Sequence, residues 1–111
     1  MSRRSAPLSL AQLFTTLNSR EGALKLGREA VESRVAACAQ VIGPMTSVYR
    51  WEGGLEESEE FLCLLKTPDE RVAELIQFVR DRHPYDTPEI TTVSSEFVDE
   101  RYLKWARAET A

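Results

Sequence analysis

Two extended segments joined by a tight turn constrain this chain more than any other feature. From Cys38 to Trp51 the side chains alternate as in a strand, with Ser47, Tyr49 and Trp51 to one side and Val48 and Arg50 to the other. Glu52-Gly53-Gly54 is a turn signal, and Leu55 to Lys66 reads as the returning strand. Gly43-Pro44 interrupts the outgoing strand and predicts a bulge or kink, because proline cannot donate to a ladder. Fourteen residues of strand extend to about 45 Å, against ~20 Å for a common strand. Such a hairpin overhangs a domain whose radius of gyration would be about 13 Å.

The returning strand adds a second constraint. Phe61 to Leu65 is a run of five apolar residues, so alternation places Phe61, Cys63 and Leu65 on one face and Leu62 and Leu64 on the other. A sheet with water on one side reads apolar and polar in turn, and this strand does not. Both faces must therefore be covered. Leu62 and Leu64 become candidate subunit contacts, as do Tyr49 and Trp51 at the far end of the arm, aromatic residues of the kind favoured in interface cores. An obligate oligomer is expected.

The other elements can be placed around this hairpin. Leu10 to Thr16 is a short inner strand. Asn18, three residues before Glu21, has capping-box spacing and predicts a helix to about Ala36 with a small-residue stripe of Ala23, Gly27, Ala30, Val31 and Val35. Small residues let a helix lie close against a sheet. Thr67-Pro68-Asp69-Glu70 predicts a capped second helix whose buried stripe is Val72, Leu75, Ile76 and Val79. Pro84 ends that helix near Arg82. Ile90 to Val93 is a fourth strand, and Val98, Tyr102, Trp105 and Ala106 mark a last helix. The order β-α-β-β-α-β plus a C-terminal helix is that of an α+β, ferredoxin-like sandwich with two helices on one face of an antiparallel sheet.

Composition narrows the function. The 111 residues make one domain over 1–111, with residues 1 to 7 read as a loose tail. A formal net charge of −4 leaves no basic excess to displace counterions from phosphates, so no nucleic-acid partner is expected. No apolar run nears the roughly 18 residues that span a bilayer, so no membrane partner is expected and the cytoplasm is the expected compartment. Cys38 and Cys63 sit in apolar surroundings outside any C-x-x-C pattern and read as small core residues. The sole histidine, His83, has no diagnostic nucleophile motif near it and no phosphate-binding glycine loop is present, which argues against an enzyme. Glu52, Glu56, Glu57, Glu59 and Glu60 read as a solvated hairpin edge.

Five motifs, in order and at this spacing, carry a family resemblance: ESRVAAC (32–38), TSVYRWEG (46–53), LLKT (64–67), HPYDTPEI (83–90) and YLKW (102–105). From about residue 10 to 106 the chain resembles the CutA divalent-cation-tolerance proteins. That resemblance implies a stable homotrimer of ferredoxin-like protomers with hairpin arms engaging neighbours, no enzymatic activity, and a part in tolerance of divalent metals, copper especially. It is also similar in assembly to the PII signalling trimers, so a small-molecule sensor with intersubunit clefts is the alternative, and a scaffold for a protein partner a third. No cofactor is obligatory. Within HPYDTPEI, imidazole suits Cu(II) or Zn(II), and Asp86 and Glu89 add oxygen donors to His83. The other reading of the same stretch is a rigid connection stiffened by Pro84 and Pro88. Phe14 stands where some metal-binding relatives carry a cysteine, and Arg82 where they carry a second histidine.

Overall fold

Alternation in the sequence becomes a single sheet in the computed structural model, which describes residues 9–111; the expected loose tail lies outside the described residues. The elements run β1 (Leu10–Leu17), α1 (Arg20–Glu32), β2 (Cys38–Trp51), β3 (Gly54–Pro68), a 3-10 turn (Asp69–Arg71), α2 (Val72–Arg82), β4 (Thr91–Ser94) and α3 (Glu100–Glu109). The sheet order is β2-β3-β1-β4, and every neighbouring pair is antiparallel. Register sets Leu13 opposite Leu65, Thr15 opposite Cys63 and Leu17 opposite Phe61. That face meets Ala23, Leu26 and Ala30 of α1 and Leu75, Phe78 and Val79 of α2 in the main core. On the opposite face a smaller cluster of Leu10, Ala37 and Ala106 docks α3 at one end of the sheet.

The close approach of α1 explains its small residues. A Cβ at Gly27 would lie 2.9 Å from the Ala39 Cβ on β2. Leu26 joins the buried stripe, whereas Val31 is exposed, so the predicted stripe is corrected to Ala23, Leu26, Gly27 and Ala30. The cap is Ser19, whose Oγ accepts from the Gly22 amide, rather than Asn18. The helix stops at Glu32, short of Ala36, because Arg34 turns to a left-handed φ of 63°.

At the start of α2 the structure again departs from the local signal. Thr67 pairs with Ala11 inside the β1–β3 ladder and is fully buried. Its side chain is therefore not available as a cap, and α2 begins at Val72 after the 3-10 turn with no side-chain cap bond. The end of the helix falls at Arg82, where Pro84 put it: His83 is extended at φ −71°, ψ 134°.

The arm is built around a bulge. Ile42 pairs with Leu62 and Met45 with Glu60, so Gly43 and Pro44 together oppose Phe61. Gly43 has φ 154°, and a Cβ there would meet Phe61 Cδ2 at 2.7 Å, so only glycine fits. At the tip, Trp51 pairs with Gly54 across Glu52 (φ 50°) and Gly53 (φ 82°), a two-residue turn with positive φ at both central positions. The overhang is measurable: the longest extent is 51 Å and the radius of gyration 15.5 Å.

Candidate functional site

The 83–90 stretch earns its place by finishing an incomplete sheet edge. β4 has four residues and pairs only with Ala11 to Phe14, although β1 runs on to Leu17. Beyond that pairing, the Thr16 carbonyl oxygen lies 3.0 Å from His83 Nε2. A carbonyl can only accept, so Nε2 carries the proton. Nδ1 is then an acceptor, and the Tyr85 amide donates to it at 3.2 Å. The Tyr85 ring stands edge-on to the imidazole, with centroids 4.7 Å apart, and its hydroxyl donates to Glu60 Oε2 at 3.2 Å. One continuous chain of bonds thus ties the edge of β1 to the root of the arm.

Electrostatics agree with these protonation states. Burial holds His83 below the ordinary histidine range, partly offset by the Thr16 bond and the Glu60 charge. Burial, followed by the nearby Glu60 carboxylate, pushes the Tyr85 hydroxyl up to about 12. The imidazole is neutral and the phenol is a donor.

In front of this relay opens a cleft of about 600 Å³ between the arm and the loop. Tyr49, Trp51 and Tyr85 supply its aromatic surface. Glu56 and Glu60 reach it from β3, and Asp86 and Glu89 from the loop. The bulge is what brings Tyr49 here. One extra residue in β2 shifts the odd-numbered positions beyond it onto the face that carries Leu62 and Leu64, where Tyr49 pairs with Glu56 and meets the Ser58 hydroxyl at 3.4 Å.

The expected metal set is only partly assembled. Asp86 and Glu89 line the cleft, while His83 sits behind it against β1. Glu89 also accepts from the Thr91 hydroxyl at 3.0 Å. Among the described residues no three His, Cys, Asp or Glu side chains converge as an ion would require. Both imidazole nitrogens are already committed, one as donor and one as acceptor. This donor set does not fit a resident metal ion. Phe14 is half-buried, and Arg82 lies over the Phe78 ring at 3.7 Å. Cys63 is fully buried and its thiol is pushed up to about 11 by that burial, whereas Cys38 is half-buried beside Tyr102.

Of the expected contact residues, Tyr49 is 42% and Trp51 53% exposed in the single chain. Leu62 and Leu64 are half-buried on the face that α1 and α2 leave uncovered, next to Ile42 at 56% exposure. Sequence reasoning missed Glu56 and Glu60 as cleft residues. The signal was their even spacing with Leu62 and Leu64, which puts all four on one face.

Fold and cleft together define a class: a small α+β protein on one antiparallel sheet, with a cleft at the root of an overhanging arm. A family model described as CutA1 divalent ion tolerance protein matches residues 11–109. The chain belongs to that family. Human protein CutA is 38% identical over 104 residues, covering 94% of this chain and 58% of the human protein. The divalent-cation tolerance protein CutA of Thermus thermophilus is 37% identical over 98 residues, covering 88% of this chain and 95% of that one. The crystal structure of CutA1 from Ehrlichia chaffeensis superimposes with a TM-score of 0.90 at 29% identity, covering 96% of this chain and 99% of that one. The chain therefore spans only part of the length of the animal relatives, 58 to 64%. The family model and the Thermus thermophilus relative are named for tolerance of divalent ions rather than for an enzymatic activity.

Proposed function

We propose that the chain works as a homotrimer of ferredoxin-like protomers in tolerance of divalent cations, copper among them. The observation that carries the assembly is the unfinished sheet, and the tolerance role is supported by membership of a family described by divalent ion tolerance. β2 and β4 are open edges at opposite ends of it, and the strip around Ile42, Leu62 and Leu64 is left uncovered by α3. Unlike edges paired head to tail build rings, and joining β4 of one copy to β2 of the next preserves the antiparallel alternation. The number three is what the family resemblance implies. Light scattering over a dilution series is expected to give three times the 12.6 kDa chain mass. A monomer at micromolar concentration refutes it.

In this reading cations are cargo met weakly by the exposed carboxylates of Asp86 and Glu89, and His83 has a structural part. Two free cysteines suit the cytoplasm as the compartment. The runner-up, a sensor like the PII trimers, is favoured by one observation: a cleft of about 600 Å³ has the size of small-molecule sites. A thermal-shift screen of metabolites against the assembled protein tests it, and a uniformly flat result rejects it.

A further inference from the structure

We propose that the cleft at the root of the arm takes an organic cation, an amine or guanidine carried on an apolar body. The inference rests on the small-molecule reading of that cleft. Charge points to the sign: Glu56, Glu60, Asp86 and Glu89 line it, and among the described residues of the chain no lysine or arginine does. An anionic effector would meet four like charges at close range.

Geometry separates an organic cation from an inorganic one. The carboxylates come from two walls, β3 and the 83–90 loop, and no three of them converge on a point. A bare ion would find no coordination shell there, and about 600 Å³ is far more room than it fills. An extended ligand can meet carboxylates on both walls one at a time. Tyr49, Trp51 and Tyr85 are among its lining residues, and aromatic rings attract ammonium and guanidinium groups over their faces, while Val48 adds aliphatic surface for the body. Tyr85, itself positioned through the His83 relay, holds Glu60 at 3.2 Å and keeps that carboxylate at the wall.

The test uses the full chain in its native assembly. The chain has two tryptophans, so Trp105→Phe leaves Trp51 as the only indole reporter, and calorimetry on the unmodified chain provides an independent reading. The probes are 2-phenylethylamine, its neutral analogue 2-phenylethanol, its anionic analogue phenylacetate, and zinc chloride alone. Saturable binding of the amine, weaker for the alcohol by about tenfold or more, supports the proposal. The double variant Glu60→Gln, Asp86→Asn is expected to lose about tenfold in amine affinity at unchanged oligomeric mass. Phenylacetate or the alcohol binding as tightly as the amine overturns the ligand class but leaves the small-molecule reading standing. Binding of none of the three organic probes overturns the proposal, and a flat metabolite screen beside it overturns the small-molecule reading as well. Zinc bound through Glu60 and Asp86 without the amine also overturns the proposal, as does Trp51→Ala splitting the assembly with no probe bound, since a neighbouring protomer then fills the cleft.

Discussion

Removing the His83 ring in stages separates a metal ligand from a structural histidine. The ring makes two bonds: Nε2–H to the Thr16 carbonyl at 3.0 Å and acceptance of the Tyr85 amide at 3.2 Å. His83→Ala loses both and leaves a carbonyl and an amide in a half-buried place without partners. At about 1 kcal/mol per bond, the loss should be about 2 kcal/mol. His83→Gln can place its Nε2 where the ring Nε2 stood and keep the bond to Thr16. His83→Asn can place Oδ1 near the Nδ1 position and keep the bond from Tyr85. Each should cost about 1 kcal/mol, half of the alanine effect. Urea titrations at one fixed protomer concentration read these differences, because association would otherwise shift the midpoints. Copper calorimetry on the same three variants should move by less than tenfold, since no ring lone pair is free to begin with. Abolished copper binding with unchanged urea midpoints would refute the reasoning outright. The relay also has a pH signature. His83 is held below its ordinary value of 6.5, so the folded state binds fewer protons than the unfolded one near that pH. Its contribution is fully present above about pH 6.5 and is lost as pH falls through the lowered folded value. The His83→Gln variant should show a flatter stability profile on the acid side of that point.

Three other substitutions probe the frame around the site. Gly27→Ala gains about 1 kcal/mol of helix propensity but drives a Cβ to 2.9 Å from Ala39. Both contacting atoms are fixed to backbone, so overpacking of about 1–3 kcal/mol should win and lower the urea midpoint. Leu64→Glu places a charge on the uncovered sheet face, while the main core on the opposite side is untouched; light scattering should show smaller species, and an unchanged mass would mean that this face is not buried between subunits. Thr15 is fully buried with a hydroxyl that has no partner among the described residues, so Thr15→Val should raise stability by about 1 kcal/mol, read as a higher urea midpoint at the same protomer concentration.

What the sequence could say depended on how local the cause was. Strand alternation over 38–66, the tip turn and the end of α2 before Pro84 are set by neighbours a few residues away, and each was legible. Thr67 has the local chemistry of a cap, but its partner Ala11 is far away in the chain, and the ladder took the residue first. Arg34 ends α1 through a left-handed conformation that its residue type does not announce. His83 was recognisable as the one imidazole. Its use was not, because that depends on β4 stopping opposite Phe14 and leaving the Thr16 carbonyl to be satisfied. Glu60 was hidden in an acidic run until the arm's pairing showed which of those carboxylates share a face with Tyr49.

The bulge at Gly43-Pro44 connects the fold to the cleft. Without the extra residue, Tyr49 and Trp51 would fall on the side of β2 that bears Ala39 and Val41, which pack against the helices. The aromatics would then overhang α1 and face away from the 83–90 loop. With it, they share a face with Glu56 and Glu60, and the loop closes the opposite wall with Tyr85, Asp86 and Glu89. Gly43 is the residue that permits this, because any Cβ would strike the Phe61 ring directly across the ladder. On the loop side the corresponding fixed point is His83, which anchors Tyr85 to β1 and through it Glu60 to the arm. The two walls of the cleft are thus set by one glycine and one histidine, neither of which lines it. Selection acting on the cleft would fall on both, although neither touches whatever the cleft holds.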